Sequence, residues 1–188
     1  KLRNEAYAMT WRLHTNCRNT KQIANANILM TNIPNQGKPA VSGPQVEYRS
    51  YSSKEEERQM INSIVREIKG SGAIGSDFII LSRYMLSNPQ NGLGFTGLDG
   101  HLGTLKTTTP LWKAKKDDVR FSTISGFKGL ESKIVIMIDV DRFSDEDARL
   151  LNYVAASRAC AMLYVLYDCK AEQERQDMIR SGFPQIGT

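Results

Sequence analysis

The chain has 188 residues, a formal net charge of +5 and a mean hydropathy of −0.40. Apolar residues make up 40% and charged residues 24%, a globular balance that excludes disordered, collagen-like and mucin-like chains. No apolar run approaches the roughly 20 residues of a membrane-spanning helix. A chain of this length suits one domain with a complete buried core. The three cysteines, Cys17, Cys160 and Cys169, form neither a C-x-x-C pair nor an even set. That argues against a disulfide framework or a zinc site, and a reducing cytoplasm is the expected compartment. No secretory leader pattern is present, and the start at Lys1 rather than Met points to a piece of a longer protein. The sequence pI near 9.1 suits an anionic partner without naming one.

In chain order, Asn19 with Gln22 reads as a helix start, and Ile23, Ala26, Asn27 and Met30 recur behind it at helical spacing. The stretch 32–44 is rich in Pro and Gly and reads as turns. Val46 to Tyr51 reads as a short polar edge strand. Ser53 with Glu56 is a capping box for a helix whose apolar stripe is Met60, Ile61, Ile64, Val65 and Ile68, closed by Gly70. Three continuous apolar runs, 78–81, 134–138 and 162–166, predict interior strands covered on both faces, with 119–123 as a fourth. A helix over about 145–158 separates the last two runs. Strands alternating with helices predict an α/β fold with a mostly parallel sheet. The glycine-rich segment 87–110 is an irregular excursion to which no structure is assigned.

Function shows where residues break these local rules. Arg158 falls on the same predicted helix face as Leu151, Val154 and Ala155, where a guanidinium must meet an anion or hold the last carbonyls. Arg18 stands just ahead of a helix start, where the helix dipole disfavours a cation; it points either to solvent or across a cleft. Gly126 and Gly129, in the segment 121–131, permit tight turns after a strand's carboxyl end, the usual ligand edge of an open α/β sheet. Asp139 ends an apolar strand in the manner of a metal-assisting aspartate. However, no G-x-x-x-x-G-K-[ST] phosphate cradle occurs in the 188 residues, so a strand-end turn is the simpler role. His14 and His101 have no metal-ligand neighbours at useful spacing. Lys113, Lys115 and Lys116 adjoin Asp117 and Asp118 as a solvated mixed-charge loop.

Taken in order, these segments resemble motifs of the UvrD/Rep-like superfamily 1 helicases. Asn16-Cys17-Arg18-Asn19-Thr20 resembles motif IV, Thr123 to Glu131 resembles motif V, and Tyr153-Val154-Ala155-Ala156-Ser157-Arg158-Ala159 resembles motif VI. Phe78 to Arg83 is similar to the extra strand motif between IV and V. The resemblance runs from about Leu13 to Leu166. It implies a RecA-like second motor domain, occupying residues 1–188, that lacks its own P-loop. ATP and Mg²⁺ would be held mainly by an upstream RecA-like domain of the same chain. Arg18 and Arg158 match the family's arginines that reach the γ-phosphate, a task suited to a planar, permanently charged fork. Glu131 matches the acceptor for the nucleotide's ribose hydroxyl, with Gly129 allowing close backbone approach. Thr123, Ser125, Ser82 and Arg83 match the track for single-stranded DNA.

The chain also departs from that pattern. Ser125 and Gly126 stand where motif V commonly has His and a second polar residue, and Cys17 replaces a usual Tyr. About 37 residues separate Arg83 from Phe121, so the family's long helical insertion is missing and the excursion takes its place. The resulting expectation is part of an ATP-dependent DNA helicase, inactive as the isolated fragment. The rival reading is a non-catalytic RecA-like module that binds nucleic acid or a partner. A metal-dependent hydrolase centred on Asp139 is the remote third.

Overall fold

Strands that are apolar throughout need cover on both faces, and the tertiary structure supplies it. The fold is a computed structural model that describes residues 15–34, 37–94, 97–107, 110 and 113–182. His14, to which the sequence assigns no role, and the start of the resemblance at Leu13 lie outside the described residues. Among the described residues eight strands run in chain order: β1 Thr15–Asn16, β2 Lys38–Pro39, β3 Glu47–Tyr51, β4 Phe78–Ser82, β5 Thr104–Lys106, β6 Asp118–Thr123, β7 Ser132–Val140 and β8 Ala159–Asp168. The helices are α1 Lys21–Thr31, α2 Lys54–Gly70, α3 Glu146–Ala156 and α4 Glu172–Gly182. Strands β3-β8-β7-β4-β6-β5 form one sheet in that spatial order, every pair parallel. β1 and β2 pair separately, also in parallel.

The interior strands divide their side chains between two cores. Ile79 and Leu81 of β4 join Ile23 and Met30 of α1 and Ala155 and Ala156 of α3 on one face. Phe78 and Ile80 join Ile61, Ile64, Val65 and Ile68 of α2 on the other. Each fully buried aliphatic side chain in such a layer contributes about 1.5–3 kcal/mol relative to exposure. These residues are at most 3% exposed, which explains why the apolar runs carry no polar alternation.

Local signals are partly redirected. The cap of α1 is Thr20, whose side chain accepts from Ile23 N, rather than Asn19. Gln22 reaches across instead to accept the Gly43 N–H at 2.7 Å. Ser53 caps α2 as expected, accepting from Glu56 N, but the Glu56 carboxylate turns back to Ser52 rather than Ser53. Gly70 is the last helical residue; the left-handed residue that follows the helix is Gly72. α3 stops at Ala156, so Arg158 lies beyond the helix, in the turn just before β8.

The excursion is more ordered than its composition suggests. Leu93 and Leu102 enter the α2-side core, and β5 adds a sixth strand by pairing with β6. Among the described residues no helix is long and apolar enough to cross a membrane.

Candidate functional site

The segment 124–131 crosses the sheet from one end to the other. Ile124 N donates to Ser82 O at 2.8 Å, extending the β4–β6 ladder by one bond past the carboxyl ends. Phe127, 1% exposed, then packs in the α1-side core. The chain reaches the amino end of β7, where Ser132 lies level with Ala159 of β8. Thr123 and Ser125 therefore sit at the carboxyl edge, whereas Gly129 and Glu131 sit at the amino edge. The expectation that both glycines serve the carboxyl edge is corrected here. β7 runs parallel to β6 with β4 between them, so the eight-residue connection must traverse the whole strand length.

At the amino edge three separate segments converge. Arg18 Nε donates to Glu131 Oε2 at 2.9 Å across 113 positions of sequence. Asn16 holds the loop that carries Arg18: its Oδ1 accepts from Arg18 N at 2.9 Å and Asn19 N at 3.2 Å. Asn19 Nδ2 in turn donates to Ala159 O at 2.6 Å and Ser157 O at 3.3 Å, fastening the Arg18 loop to the α3–β8 junction. Sequence reasoning took Asn19 for a helix cap and missed this tie. The Asn16-x-x-Asn19 spacing was the available signal.

Arg158 is held from the same junction. Its Nε donates to Val154 O at 3.1 Å, Nη2 to Ser157 Oγ at 2.9 Å and Nη1 to Leu130 O at 3.4 Å. Of the two sequence readings of Arg158, the structure shows the second: it holds a carbonyl of the last helical turn. Among the described residues it forms no ion pair with a carboxylate. Burial lowers its pKa and the nearby Arg18 guanidinium lowers it further, while Glu131 opposes both. Arg18 and Arg158 thus bring two guanidiniums near one carboxylate, Glu131, which is paired with Arg18. Gly129 has φ +86°, and a Cβ built there meets nothing within 4 Å. Its glycine is required by the left-handed turn, and the space beside it is open. Cys160, also missed in the sequence, is half-buried beside this cluster; burial and Glu131 raise its pKa, partly offset by Arg18.

The carboxyl edge is built differently. Thr123 Oγ1 accepts the Gly126 N–H at 3.1 Å, and a Cβ on Gly126 would stand 2.9 Å from that oxygen and 3.0 Å from Ser122 Oγ. A side chain at Gly126 would therefore have to displace these two hydroxyls. Ser125 is exposed. Ser82 is fully buried, its hydroxyl donating to Asp139 Oδ2 and accepting the Tyr84 N–H at 2.9 Å. Arg83 pairs with Asp141 and lies over the Tyr84 ring. Neither Ser82 nor Arg83 is presented freely at the surface as Ser125 is.

Asp139 is the hinge of this edge. It sits at φ +60°, inside a register shift between β7 and β8, and is 1% exposed. Its Oδ1 accepts Lys54 Nζ at 2.8 Å and Gly92 N at 2.7 Å, while its own N–H donates to Glu57 Oε1 at 2.7 Å. Lys54 Nζ also reaches Glu57 Oε2 at 2.8 Å. With these contacts filled, Asp139 is a structural strand-end residue rather than an open carboxylate. Burial, and then the Asp139 charge, push the Glu57 carboxyl up to about 7. No cluster of three or more His, Cys, Asp or Glu that could hold a metal occurs among the described residues.

No protein-family model matches the chain. No curated protein matches it either. Among solved structures, it is similar to the C-terminal domain of a possible DNA helicase from Lactobacillus plantarum WCFS1. The TM-score is 0.60 at 16% identity, covering 80% of this chain and 86% of that one. The likeness is one of fold: an all-parallel six-stranded sheet flanked by helices, in agreement with the α/β, RecA-like expectation.

Proposed function

We propose that the chain is the second RecA-like motor domain of a UvrD/Rep-like superfamily 1 DNA helicase, working with an upstream RecA-like domain that holds ATP and Mg²⁺. The observation that carries this reading is the convergence of Arg18, Glu131 and Arg158 at one sheet edge from three distant segments. That edge has two fixed cations, one acceptor-only carboxylate and open space at Gly129, a set suited to a nucleotide's phosphates and ribose. Bound there, the nucleotide would supply the phosphoryl group on whose oxygens negative charge spreads during hydrolysis.

In this reading Arg158 is held ready by three neutral acceptors, and Arg18 is held by Glu131. The Arg18–Glu131 pair is 49% and 56% exposed at its two side chains, so it costs only about 0.2–1 kcal/mol to separate. Arg18 is then released to phosphate and Glu131 to the ribose hydroxyl. Because both arginines gain these contacts only when the domains close, they bias closure while the γ-phosphate remains and release it afterwards. Thr123 and Ser125, at the opposite edge, would touch the single-stranded DNA backbone; Ser82 and Arg83 would support them from behind.

The test is Arg158→Ala in the longer protein with its upstream domain. ATPase activity should fall by about 10³-fold or more, as for other arginine fingers. An unchanged turnover would refute the motor reading and favour a non-catalytic binding module. The 188-residue chain alone should show no catalytic ATP turnover.

A further inference from the structure

On the α1 side of the sheet the apolar strand positions stop at β4. The same face continues over β6 and β5 with Asp118, Arg120 and Ser122, then Thr104 and Lys106, all of them polar. Register fixes this sidedness. Arg120 lies level with Ile79, a member of the α1-side core, while its neighbours Val119 and Phe121 belong to the α2-side core.

Arg120 is 7% exposed, and its Nε and Nη1 are buried with no acceptor. A guanidinium keeps its charge when buried, so donors left without acceptors carry the cost of their lost hydration. Burial accordingly lowers the Arg120 pKa, and the nearby Asp118 charge restores only part of it. Asp118 is turned elsewhere: its Oδ2 accepts Lys115 N at 2.7 Å and closes the turn into β6.

A second cation stands beside the first. Lys106 is directly opposite Arg120 in the β5–β6 pairing and half-buried on the same face. Like charges across a strand pair repel, and neither cation forms an ion pair among the described residues. An anion that answers both must be small, because so little of Arg120 is open. A tetrahedral oxyanion meets these demands: its oxygens accept from a guanidinium at more than one N–H, and its charge offsets that of Lys106.

We propose that Arg120 and Lys106 form a site for a small oxyanion of the phosphate class, on the α1-side face of the sheet margin. The site is separate from the Arg18–Arg158 cluster. β4 and β7 lie between β6 and β8, so three strand spacings, about 14 Å, part Arg120 from the start of β8. It needs no upstream domain and does not depend on the motor-domain reading.

The test is thermal unfolding of the 188-residue chain, with sodium phosphate titrated against sodium chloride at matched ionic strength and pH. Phosphate should raise the midpoint saturably, by about 3–6 °C at about 20 mM for half-saturation near 1 mM, a strength within reach of so small a ligand. Arg120→Met keeps an apolar stem and removes the buried charge. It should abolish the rise and begin from a higher midpoint in chloride. Lys106→Met should fold like the wild type and weaken half-saturation about threefold, as for the loss of a partly exposed charge. Arg18→Ala combined with Arg158→Ala should leave the rise intact.

The Arg120 Nε–Hε resonance, followed through the same titration of the wild-type chain, reads the site without any substitution. It should move with the half-saturation seen in unfolding. A resonance unmoved by phosphate overturns the proposal even if Arg120→Met fails to fold. No saturable rise, a rise that survives Arg120→Met, or one abolished by the Arg18→Ala and Arg158→Ala pair overturns it equally.

Discussion

Glu57→Gln tests the buried network that shapes the carboxyl edge. Glu57 is 0% exposed, beside a second buried carboxylate, and a single half-exposed lysine serves both. Burial raises its carboxyl from 4.5 to about 7, so the folded state holds a proton that the unfolded chain releases. Stability from this group is complete below pH 4.5 and is lost as pH rises through 7. The shift corresponds to about 3 kcal/mol, of which about 2 kcal/mol falls between pH 5 and 7.5. Glutamine keeps an oxygen to accept the Asp139 N–H but carries no titratable proton. Urea unfolding of both chains at half-unit steps across that window is the assay. The variant should gain about 2 kcal/mol relative to wild type from the acid end to the alkaline end, whatever its absolute stability. Groups with lowered carboxyl pKa, such as Glu172 at about 2, act below this window and with the opposite sign. A stability difference constant across the window would refute the assignment of the proton to Glu57.

The remaining predictions concern the amino edge and the packing of the excursion. A double-mutant cycle on Arg18→Ala and Glu131→Ala should give a coupling of about 0.2–1 kcal/mol in unfolding, as for an exposed pair. A coupling above about 2 kcal/mol would mean a pair too strong to be opened cheaply by a nucleotide. Gly92→Ala would bring a methyl within 2.4 Å of Glu57 Oε2 and 2.5 Å of Glu57 Cδ. Because Glu57 is buried and bonded on both oxygens, the clash cannot relax cheaply, and a loss of about 1–3 kcal/mol in chemical denaturation is expected. Wild-type stability for this variant would show that the excursion does not press on the carboxylate pair.

Much of the fold is legible in the sequence because burial writes directly into it. A strand covered on both faces must be apolar throughout, so β4, β7 and β8 are visible as uninterrupted runs. The stripe of α2 is visible for the same reason, since one face of a 3.6-residue period must meet the sheet. β5 is not legible: three residues, one of them a lysine, pair at a sheet margin where backbone bonds rather than apolar content set the structure. Asn19 shows how a local signal misleads, because a side chain suited to a helix cap also suits two carbonyls brought to it by β8.

The sequence by itself determined the ordinary globular character of the 188 residues, their parallel α/β layering and the standing of Arg18 and Arg158 as residues out of keeping with their local settings, with Glu131 singled out through the resemblance alone. Only the tertiary structure decided that these three meet, and that Thr123 lies at the opposite edge from Glu131 although eight positions separate them. The reason is geometric. Periodicity reports which side of a strand or helix a residue occupies, but which end of the sheet it reaches depends on the direction of its neighbours. A parallel β7 obliges the 124–131 connection to run the length of the sheet, carrying Glu131 away from Thr123 and onto Arg18.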